Sequence, residues 1–497
     1  MQTKRDQVQA HMFVMGRLTS GMLRADPDAP ESPQGRTNRG TAIGVVIAVL
    51  FCAGAFVFGL IKPGTSGSWR AEGTLVVDKN TGSSYLYLAD RLRPVRNYAS
   101  AKLLSEGKTT VATVGTASLQ GALTGPPVGI PGAPESLPAA GQLLSSGWQV
   151  CTLPPLRRSG PAGTSLSVEA FAGDVASKDG AMLVSAPDGS LHMVWRGARM
   201  RIAGGPRVVA ALGYGDVAPV PVSASFLSAL PAGPDLKSPR IDGRGLAGSE
   251  LAGASSKVGQ LFRAPAPGGG EQTYVLLPAG LSPITDTVAR LLAADPLTGR
   301  DAYGDSPVTA RRIGVAEVAT HSAPAAANLV VDRALPAFPP AALQLPPKRL
   351  ACVTVRTGAD GIIRTELVFV DMSAQGLATS PPRENLTPAC LPVDRVFVPP
   401  GRGVLVHALS AGGTDIGSAV HLVTDTGVKY RVADDAALKA LGYEGSEAQP
   451  VPSLLLSMLP TGPDMSVANA VQGLGRTTAP RCSQPSSNTH ADFVSER

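Results

Sequence analysis

The longest uncharged stretch of the sequence lies close to its N-terminus. Residues 41–61 read TAIGVVIAVLFCAGAFVFGLI, with no acidic or basic side chain. As an α-helix this run would be about 31 Å long, enough to cross a hydrocarbon core of about 30 Å. A cleaved signal peptide has a shorter apolar region nearer the N-terminus, whereas here 40 mostly polar residues come first. The run therefore predicts a single uncleaved transmembrane helix rather than a buried core helix.

The charges that flank this helix predict its orientation. Basic residues precede it at Lys4, Arg5, Arg17, Arg24, Arg36 and Arg39, and only Lys62 and Arg70 follow it closely. Basic flanks stay on the cytoplasmic side of a membrane. We therefore expect a single-pass protein of the cell membrane, with a cytoplasmic N-terminus and the bulk of the chain extracytoplasmic.

Small residues recur along the predicted membrane helix. Gly40, Gly44, Ala48 and Cys52 are spaced every fourth position and line one helix face. A face of this kind lets another helix approach closely. The alternative is chance, because the whole chain is rich in Ala and Gly. We interpret the four residues as a helix-packing face.

The segment before the membrane helix has a pattern of its own. Residues 4–24 carry apolar side chains at helical spacing, namely Val8, Met12, Met15, Leu18, Met22 and Leu23. This predicts an amphipathic helix that lies at the inner membrane surface or against a partner helix, or a short helix with no docking role. Residues 26–40 are rich in Pro and Gly and predict a linker.

The composition restricts what the rest of the chain can be. Of 497 residues, 56 are Gly and 44 are Pro, while 43% are hydrophobic, 16% charged and 4% aromatic. A coiled coil would contain more Glu, Lys and Leu, and a protein with many membrane spans would be more apolar. The net charge of +6 is small for a chain of this length. The basic residues also lack the aromatic neighbours that are typical of a nucleic-acid groove. We expect several small, turn-rich modules and no nucleic-acid partner.

The cysteines fit an extracytoplasmic location. Cys52 lies in the predicted membrane helix, and Cys151, Cys352, Cys390 and Cys482 lie beyond it. Disulfides persist outside the cytoplasm. Four cysteines allow three complete pairings, and the residues alone do not rank them.

Internal repeats organise the extracytoplasmic part. Residues 76–104 align with residues 261–292 when Tyr85 is set on Tyr274. The same alignment superposes Leu92 on Leu281, Pro94 on Pro283 and Val95 on Ile284. A second pair, residues 183–214 and 420–443, ends in Ala-Leu-Gly-Tyr in both copies. Both copies continue through Pro-Val-Pro to Leu-Pro-x-Gly-Pro-Asp, at 230–235 and 459–464.

Each of the four repeats has the same local pattern. A strand-like run reaches a turn, a second alternating run leaves it, and an Ala/Leu-rich helical run follows. The turns are Asn80-Thr81-Gly82, Asp188-Gly189, Gly268-Gly269-Gly270 and Asp425-Thr426-Gly427. This predicts a β-hairpin followed by a short helix. Such a unit is too small to bury a core alone, so we expect the four to pack around a central β domain.

These observations divide the chain into segments. We predict a cytoplasmic helix and linker at 1–40, the transmembrane helix at 41–61, repeat 1 at 62–125, part of the central domain at 126–180, repeat 2 at 181–240, repeat 3 at 241–299, the rest of the central domain at 300–418, repeat 4 at 419–466, and a disordered polar tail at 467–497.

The order of these segments resembles the EccB family of type VII (ESX) secretion systems of actinobacteria. The run Val128-Gly129-Ile130-Pro131-Gly132-Ala133-Pro134 and the Leu-Pro-x-Gly-Pro motif near 459–463 are typical of that family. The resemblance covers about residues 4–466. It implies an elongated, β-rich α+β fold, with four repeats that resemble cell-wall-binding modules around a central β domain.

The resemblance also implies partners and one disulfide. Family members act in a membrane complex with EccC, EccD and EccE, where EccC is the motor ATPase, so we expect EccC-, EccD- and EccE-like partners, an oligomer within that complex and possible cell-wall contact. Cys151 and Cys352 match the positions of the family disulfide. No partner position is implied for Cys390 or Cys482.

Some members of this family carry the label ATPase, a function that would require a nucleotide site in the sequence. A P-loop requires G-x-x-x-x-G-K-[ST]; Gly107-Lys108-Thr109 matches its end, but Lys102 stands where the first Gly is needed. Residues 243–248 fit G-x-G-x-x-G, yet no strand precedes them and no long helix follows, as a dinucleotide site requires. The histidines are scattered, at His11, His192, His321, His407, His421 and His490. We expect no catalytic residues, no cofactor and no metal, with His192 and His421 structural.

Three functions remain open from the sequence. The first is a non-catalytic structural subunit of a type VII secretion complex. The second is a membrane-anchored cell-wall-binding protein without a role in secretion. The third is an ATPase whose nucleotide site follows no known motif.

Overall fold

The computed structural model describes residues 3–25, 33–61, 67–155, 160–266, 268–358, 360–375, 378–379, 385–479 and 482. Residues 26–32 of the predicted linker lie outside these ranges. The α-helices are α1 Lys4–Arg24, α2 Pro33–Ile61, α3 Tyr98–Leu104, α4 Pro206–Ala211, α5 Ala224–Ser228, α6 Asp286–Ala294, α7 Val315–His321, α8 Asp435–Leu441, α9 Ser453–Leu456 and α10 Val467–Gln472.

The strands form five sheets. They are β1 Thr74–Asp78, β2 Ser84–Leu88, β3 Arg91–Pro94, β4 Thr110–Val114, β5 Trp148–Leu153, β6 Gly163–Ser167, β7 Gly173–Val175, β8 Gly180–Ser185, β9 Leu191–Trp195, β10 Ala198–Ile202, β11 Val220–Pro221, β12 Leu261–Pro265, β13 Glu271–Leu277, β14 Gly280–Ile284, β15 Arg311–Arg312, β16 Ala341–Ala342, β17 Arg349–Thr357, β18 Ile363–Asp371, β19 Arg395–Phe397, β20 Val404–Leu409, β21 Asp415–Val423, β22 Lys429–Val432 and β23 Gln449–Pro452.

The described apolar side chains of the two N-terminal helices are exposed. Helix α1 starts with a capping box, in which the Asp6 carboxylate accepts from the Thr3 backbone N–H at 3.1 Å. Helix α2 begins at Pro33, whose fixed φ suits a first helical turn. Residues 33–40, predicted as linker, are therefore helical. Thr37–Val57 is apolar and long enough to cross a membrane and is fully exposed, and it is the one such helix in the described part of the chain.

Contacts divide the chain into two units. The first comprises Met1–Arg93 and Thr110–Gly125, and the second comprises Pro94–Thr109 and Pro126–Arg497. The first unit holds sheet A, with strand order β3-β2-β1-β4. Its core is a cluster of Trp69, Val76, Leu92 and Val114.

The second unit is built on a six-stranded central sheet. Its strand order is β19-β6-β5-β17-β18-β7, so it combines residues 148–175 with residues 349–397. Both stretches lie within the segments predicted for a central domain. The long hairpin β17–β18 and strand β5 are mostly buried, as their content of Val, Leu and other apolar residues predicts.

Sheets B, C and D share one topology with sheet A. Sheet B runs β10-β9-β8-β11 with β16 added on β8, sheet C runs β14-β13-β12-β15, and sheet D runs β22-β21-β20-β23. In each sheet three strands form an antiparallel meander, and a fourth returns parallel to the first. The returning strand follows the short helix, because parallel strands need a crossover connection. The sequence predicted only a hairpin followed by a helix in each repeat, and it missed this fourth strand.

The short helices pack in pairs within the second unit. Helix α3 contacts α8, and helix α4 contacts α6. Ala99 and Leu103 of α3 join a buried cluster with Leu438 and Leu441 of α8. The side chains of α4 and Leu291 of α6 share another cluster.

Several boundaries differ from the sequence interpretation. Strand β15 of sheet C and strand β16 of sheet B both lie within 300–418, the segment predicted for the central domain, beyond the expected ends of repeats 3 and 2 at residues 299 and 240. Strand β20 of sheet D occupies Val404–Leu409, before residue 419, where repeat 4 was expected to begin. The expectation of disorder from residue 467 onward is wrong for 467–472, because α10 forms there. Ser466 caps this helix through the Asn469 N–H at 3.1 Å, and Ala470 is completely buried. Residues 480, 481 and 483–497 of the predicted tail lie outside the described residues.

Candidate functional site

The predicted helix-packing face lies on the exposed surface of α2. Gly40, Gly44, Ala48 and Cys52 all face away from other described parts of the chain. A Cβ added to Gly40 or Gly44 would meet no atom within 4 Å outside its own helix turn. Because four residues exceed one turn of 3.6, the stripe winds slowly around the helix. The geometry leaves this face free to receive another helix.

Cys151 and Cys352 lie opposite each other on adjacent central strands. The register of β5 and β17 pairs the two residues directly. Their sulfurs are 2.07 Å apart, and both side chains are buried. The bond joins residues 201 positions apart in the sequence, so it ties the two stretches that build the central sheet.

A second disulfide joins Cys390 to Cys482, with sulfurs 1.95 Å apart. Neither the family resemblance nor the residue pattern assigned this pair. The sequence offered one signal for it: if one pair forms among the four cysteines that follow the apolar helix, two cysteines remain to pair with each other. The bond fastens residue 482, inside the predicted tail, to the segment that follows the central hairpin.

The glycines of the two nucleotide-like motifs serve packing. Gly107 has φ +78°, and a Cβ there would lie 3.3 Å from the carbonyl oxygens of Lys439 and Ala440 at the end of α8. Gly245, in the G-x-G-x-x-G run, has φ +87°, and a Cβ there would lie 2.8 Å from the carbonyl oxygen of Asp301. Both glycines are therefore packed against the backbone of another segment.

The run 128–134 connects α3 to α10. Asn97 donates its side-chain N–H to the carbonyl of Ile130 at 2.7 Å, and the Ile130 N–H donates to the Ser100 hydroxyl at 2.8 Å. The Gly129 N–H donates to the carbonyl of Ala470 in α10 at 3.0 Å. A Cβ on Gly129 would lie 2.9 Å from that of Ser100. The glycine is therefore required by the close approach of the two segments.

The Gly-Pro part of the Leu-Pro-x-Gly-Pro-Asp motif has a counterpart in every one of sheets A to D. After each short helix, one residue pairs in parallel with the third strand of the meander, and the next residue donates its N–H to that strand. We call these stretches the return segments; they are residues 124–126 in sheet A, 232–234 in sheet B, 322–324 in sheet C and 461–463 in sheet D. Sequence comparison detected only the second and fourth. Thr124-Gly125-Pro126 of sheet A repeats the Thr-Gly-Pro of sheet D, whereas Ser322-Ala323-Pro324 of sheet C shares only the final Pro.

Charged groups are buried in sheet D. The Lys429 ammonium donates to the carbonyls of Leu456 and Leu459, the latter at 2.8 Å, and burial lowers its pKa to about 8. His421 lies opposite Arg431, and burial, followed by the charges of Lys429 and Arg431, lowers its pKa to about 4. Arg431 pairs with Asp464 at 3.3 Å. The arrangement keeps His421 neutral and has the character of a structural core.

His192 holds the equivalent position in sheet B. It lies opposite Arg201, as His421 lies opposite Arg431. Burial, and then the charge of Arg199, lowers the pKa of His192. Its Nε2 lies 3.0 Å from the Ser190 hydroxyl. Within the described ranges no group of three His, Cys, Asp or Glu side chains comes together as metal ligands.

Comparisons with known proteins agree with this architecture. The family profile described as "Type VII secretion system ESX-1, transport TM domain B" matches residues 1–477. The ESX-2 secretion system ATPase EccB2 of Mycobacterium tuberculosis is 28% identical over 508 residues, which cover 97% of each chain. The ESX-3 secretion system ATPase EccB3 of Mycolicibacterium smegmatis is 28% identical over 94% of this chain and 90% of its own.

Two solved structures share the fold. A chain of the intact ESX-5 inner membrane complex superposes with a TM-score of 0.62 at 22% identity, over 99% of this chain and 98% of its own. A chain of the EccB3 dimer from the ESX-3 core complex superposes with a TM-score of 0.62 at 25% identity, over 80% and 99%. The chain therefore belongs to the EccB family of type VII secretion proteins.

Proposed function

We propose that this protein is a structural, non-catalytic subunit of a type VII secretion inner membrane complex, which anchors and bridges partners on both sides of the membrane for protein export. The observation that carries the proposal is the match of the EccB profile over residues 1–477. The exposed apolar helix α2 supplies an anchor, and the β-rich second unit supplies a large folded surface.

The proposed topology is a single pass with the N-terminus in the cytoplasm. Its support is the excess of Lys and Arg before α2. Two disulfides in the part that follows agree with an oxidising location. Protease added to protoplasts should then remove most of the mass and leave the N-terminal segment; complete protection would reverse the assignment.

The proposed partners are EccC-, EccD- and EccE-like membrane components. The name of one similar structure describes an EccB3 dimer within an ESX-3 core complex, which supports self-association inside such a complex. Helix α1, the small-residue face of α2 and the extracytoplasmic sheets provide three contact surfaces. We also propose that sheets A to D, with their helices, are four copies of one repeat, and that they allow cell-wall contact.

Copurification tests the function. The chain, tagged at its C-terminus and expressed with its neighbouring genes, should retain the EccC-, EccD- and EccE-like components in mild detergent. A tagged variant that lacks residues 1–25 should retain fewer of them. Recovery of the chain alone, although all components are expressed, would favour a membrane-anchored wall-binding protein outside secretion.

ATP hydrolysis is the second candidate, because the relatives carry the name ATPase. The P-loop pattern is incomplete at Lys102, and Gly107 is packed against the backbone of α8. We therefore expect no hydrolysis by the purified chain when the EccC-like motor is absent. Turnover that persists through repeated purification, and that is abolished by Lys108→Ala, would establish the second function instead.

A further inference from the structure

The return segment of sheet D pairs with β22 and forms the outer edge of the sheet on that side. The Lys429 N–H donates to the carbonyl of Pro460 at 3.0 Å, and the Gly462 N–H donates to the carbonyl of Lys429 at 2.9 Å. Thr461, between the two, therefore directs its own N–H and carbonyl away from β22.

This edge is covered by another part of the same chain. The Thr387 N–H donates to the carbonyl of Thr461 at 2.8 Å, and the Thr461 N–H donates to the carbonyl of Thr387 at 2.9 Å. Further along, the Leu391 N–H donates to the carbonyl of Ser457 at 3.0 Å. Residues 387–391 thus lie antiparallel to the return segment and satisfy its outer hydrogen-bonding groups.

The return segment of sheet B presents the same edge, and no segment among the described residues covers it. The Arg199 N–H donates to Pro231 at 2.9 Å, and the Gly233 N–H donates to Arg199 at 2.8 Å, as in sheet D. Ala232, between them, is exposed. Across the ranges that the structure describes, no protein group bonds to the N–H or carbonyl of Ala232. An exposed strand edge of this kind is a template for pairing with another chain.

A basic cavity flanks this edge at Ser228, the residue equivalent to Ser457. Its volume is about 510 Å³, and its charged lining includes Arg199, Arg201 and Asp188. The Asp188 carboxylate already accepts the Ser190 N–H at 2.9 Å. Arg201 is exposed and makes no ion pair with any described residue. The cavity therefore offers an unpaired guanidinium to an acidic side chain.

An apolar cavity flanks Ser228 as well. It has a volume of about 330 Å³ and is lined by Leu230, Pro231, Ile363 and Leu455 among others. Proteins that recognise extended peptides combine three elements. These are backbone groups that pair with the peptide strand, a pocket for an apolar side chain and a cation for an acidic side chain.

We propose that the edge at Ala232 binds an extended acidic peptide segment of a partner protein. The peptide pairs with Ala232 and Ser228 as residues 387–391 pair with Thr461 and Ser457. An acidic side chain reaches Arg201, and an apolar side chain enters the cavity beside Leu230. Residues 387–391 of a second copy do not supply the strand, because they are already bound to sheet D of that copy.

The test uses the full chain in detergent and a fluorescent peptide. The peptide copies residues 385–392 with Asn385→Glu, which adds the acidic side chain, and Cys390→Ser, which prevents disulfide exchange. Fluorescence anisotropy should show saturable binding. The Ala232→Pro variant, which loses the outward N–H, should bind about tenfold more weakly. Arg201→Glu should weaken binding about fivefold, and so should a peptide that keeps Asn385.

The matched control is Arg207→Glu, which reverses an exposed charge on α4 outside both cavities. It should bind as the unmodified chain does. All variants should keep the same thermal unfolding midpoint, because neither Ala232 nor Arg201 is buried. Absence of saturable binding would overturn the proposal. Undiminished binding by either Ala232→Pro or Arg201→Glu would overturn it as well, because the peptide would then bind elsewhere.

Discussion

Gly462 lies against the ring of Tyr430, and a Cβ built on this glycine would be 2.3 Å from Cε1 of the tyrosine. The same step of the return segment in sheets A and B carries Gly125 and Gly233, where a Cβ would lie 3.0 Å from the neighbouring strand side chain. In sheet C the residue is Ala323, and the strand residue at the crowded position is the small Ser282. Sheet D therefore combines a glycine in the return segment with a large strand side chain, whereas sheet C combines an alanine with a small strand side chain.

The Gly462→Ala substitution should destabilise sheet D by about 1–3 kcal/mol, because the buried Tyr430 ring cannot move without strain. The measurement is thermal unfolding of the full chain in detergent. Ala323→Gly is the matched control and should cost less. In a Tyr430→Ser background, which reproduces the sheet C pair, Gly462→Ala should have almost no further effect; equal costs in both backgrounds would contradict the packing argument.

Filling the small-residue face of α2 should weaken assembly without preventing insertion. Gly44→Leu with Ala48→Leu keeps the helix apolar but blocks close approach of another helix. We expect about tenfold weaker association with the other membrane components, measured by quantitative copurification. The control, Val45→Leu with Val49→Leu, has the same spacing on a neighbouring face and should retain assembly. Equal complex yields would show that the stripe has no packing role.

The strand register predicts the connectivity of the cysteines. Cys151 and Cys352 are direct partners on β5 and β17, so peptide mapping of the unreduced chain should recover them as one cross-linked pair, with Cys390 linked to Cys482. Replacing Cys151 and Cys352 together by Ala should destabilise the second unit by about 2–5 kcal/mol, because the bond closes a loop of 201 residues. Recovery of crossed pairs would refute the register.

Acid should destabilise sheet D through His421. Its pKa is lowered to about 4 in the folded chain, by burial first and then by Lys429 and Arg431, against about 6.5 when unfolded. Between these values the unfolded chain binds more protons, so stability falls as pH drops from about 6.5 to about 4. His421→Gln should remove about 2–3 kcal/mol of that pH dependence. The test is to measure the unfolding midpoints of the unmodified chain and of His421→Gln across this pH range. Equal decreases in the two proteins would disprove the role of His421.

Much of the architecture was readable from the sequence, and the reason is local chemistry. The turns at Asn80-Thr81-Gly82 and Asp425-Thr426-Gly427 are where the pattern placed them, since Gly82 and Gly427 have positive φ that glycine adopts without strain. The apolar run of α2 needed only its length and lack of charge. Each of these features is encoded within a few neighbouring residues.

The features that the sequence did not predict depend on distant partners. Strands β11 and β15 have two residues each, too few to show a periodic pattern, and are defined only by pairing with β8 and β12. The central sheet joins stretches about 200 residues apart, and no local signal records that register. The pairing of Cys390 with Cys482 likewise depends on the fold, which brings together two residues that are 92 positions apart in the sequence.

The pairing of the short helices carries a consequence for the origin of the chain. Sequence similarity relates sheet A to sheet C and sheet B to sheet D, as expected if an ancestral two-module gene was duplicated in tandem. The helices, however, pack across that division: α3 of the first module lies on α8 of the fourth, and α4 of the second lies on α6 of the third. Two identical chains that exchange reciprocal contacts form a twofold dimer. Within one polypeptide, the helix contacts therefore follow the pattern that two identical chains would form around a twofold axis.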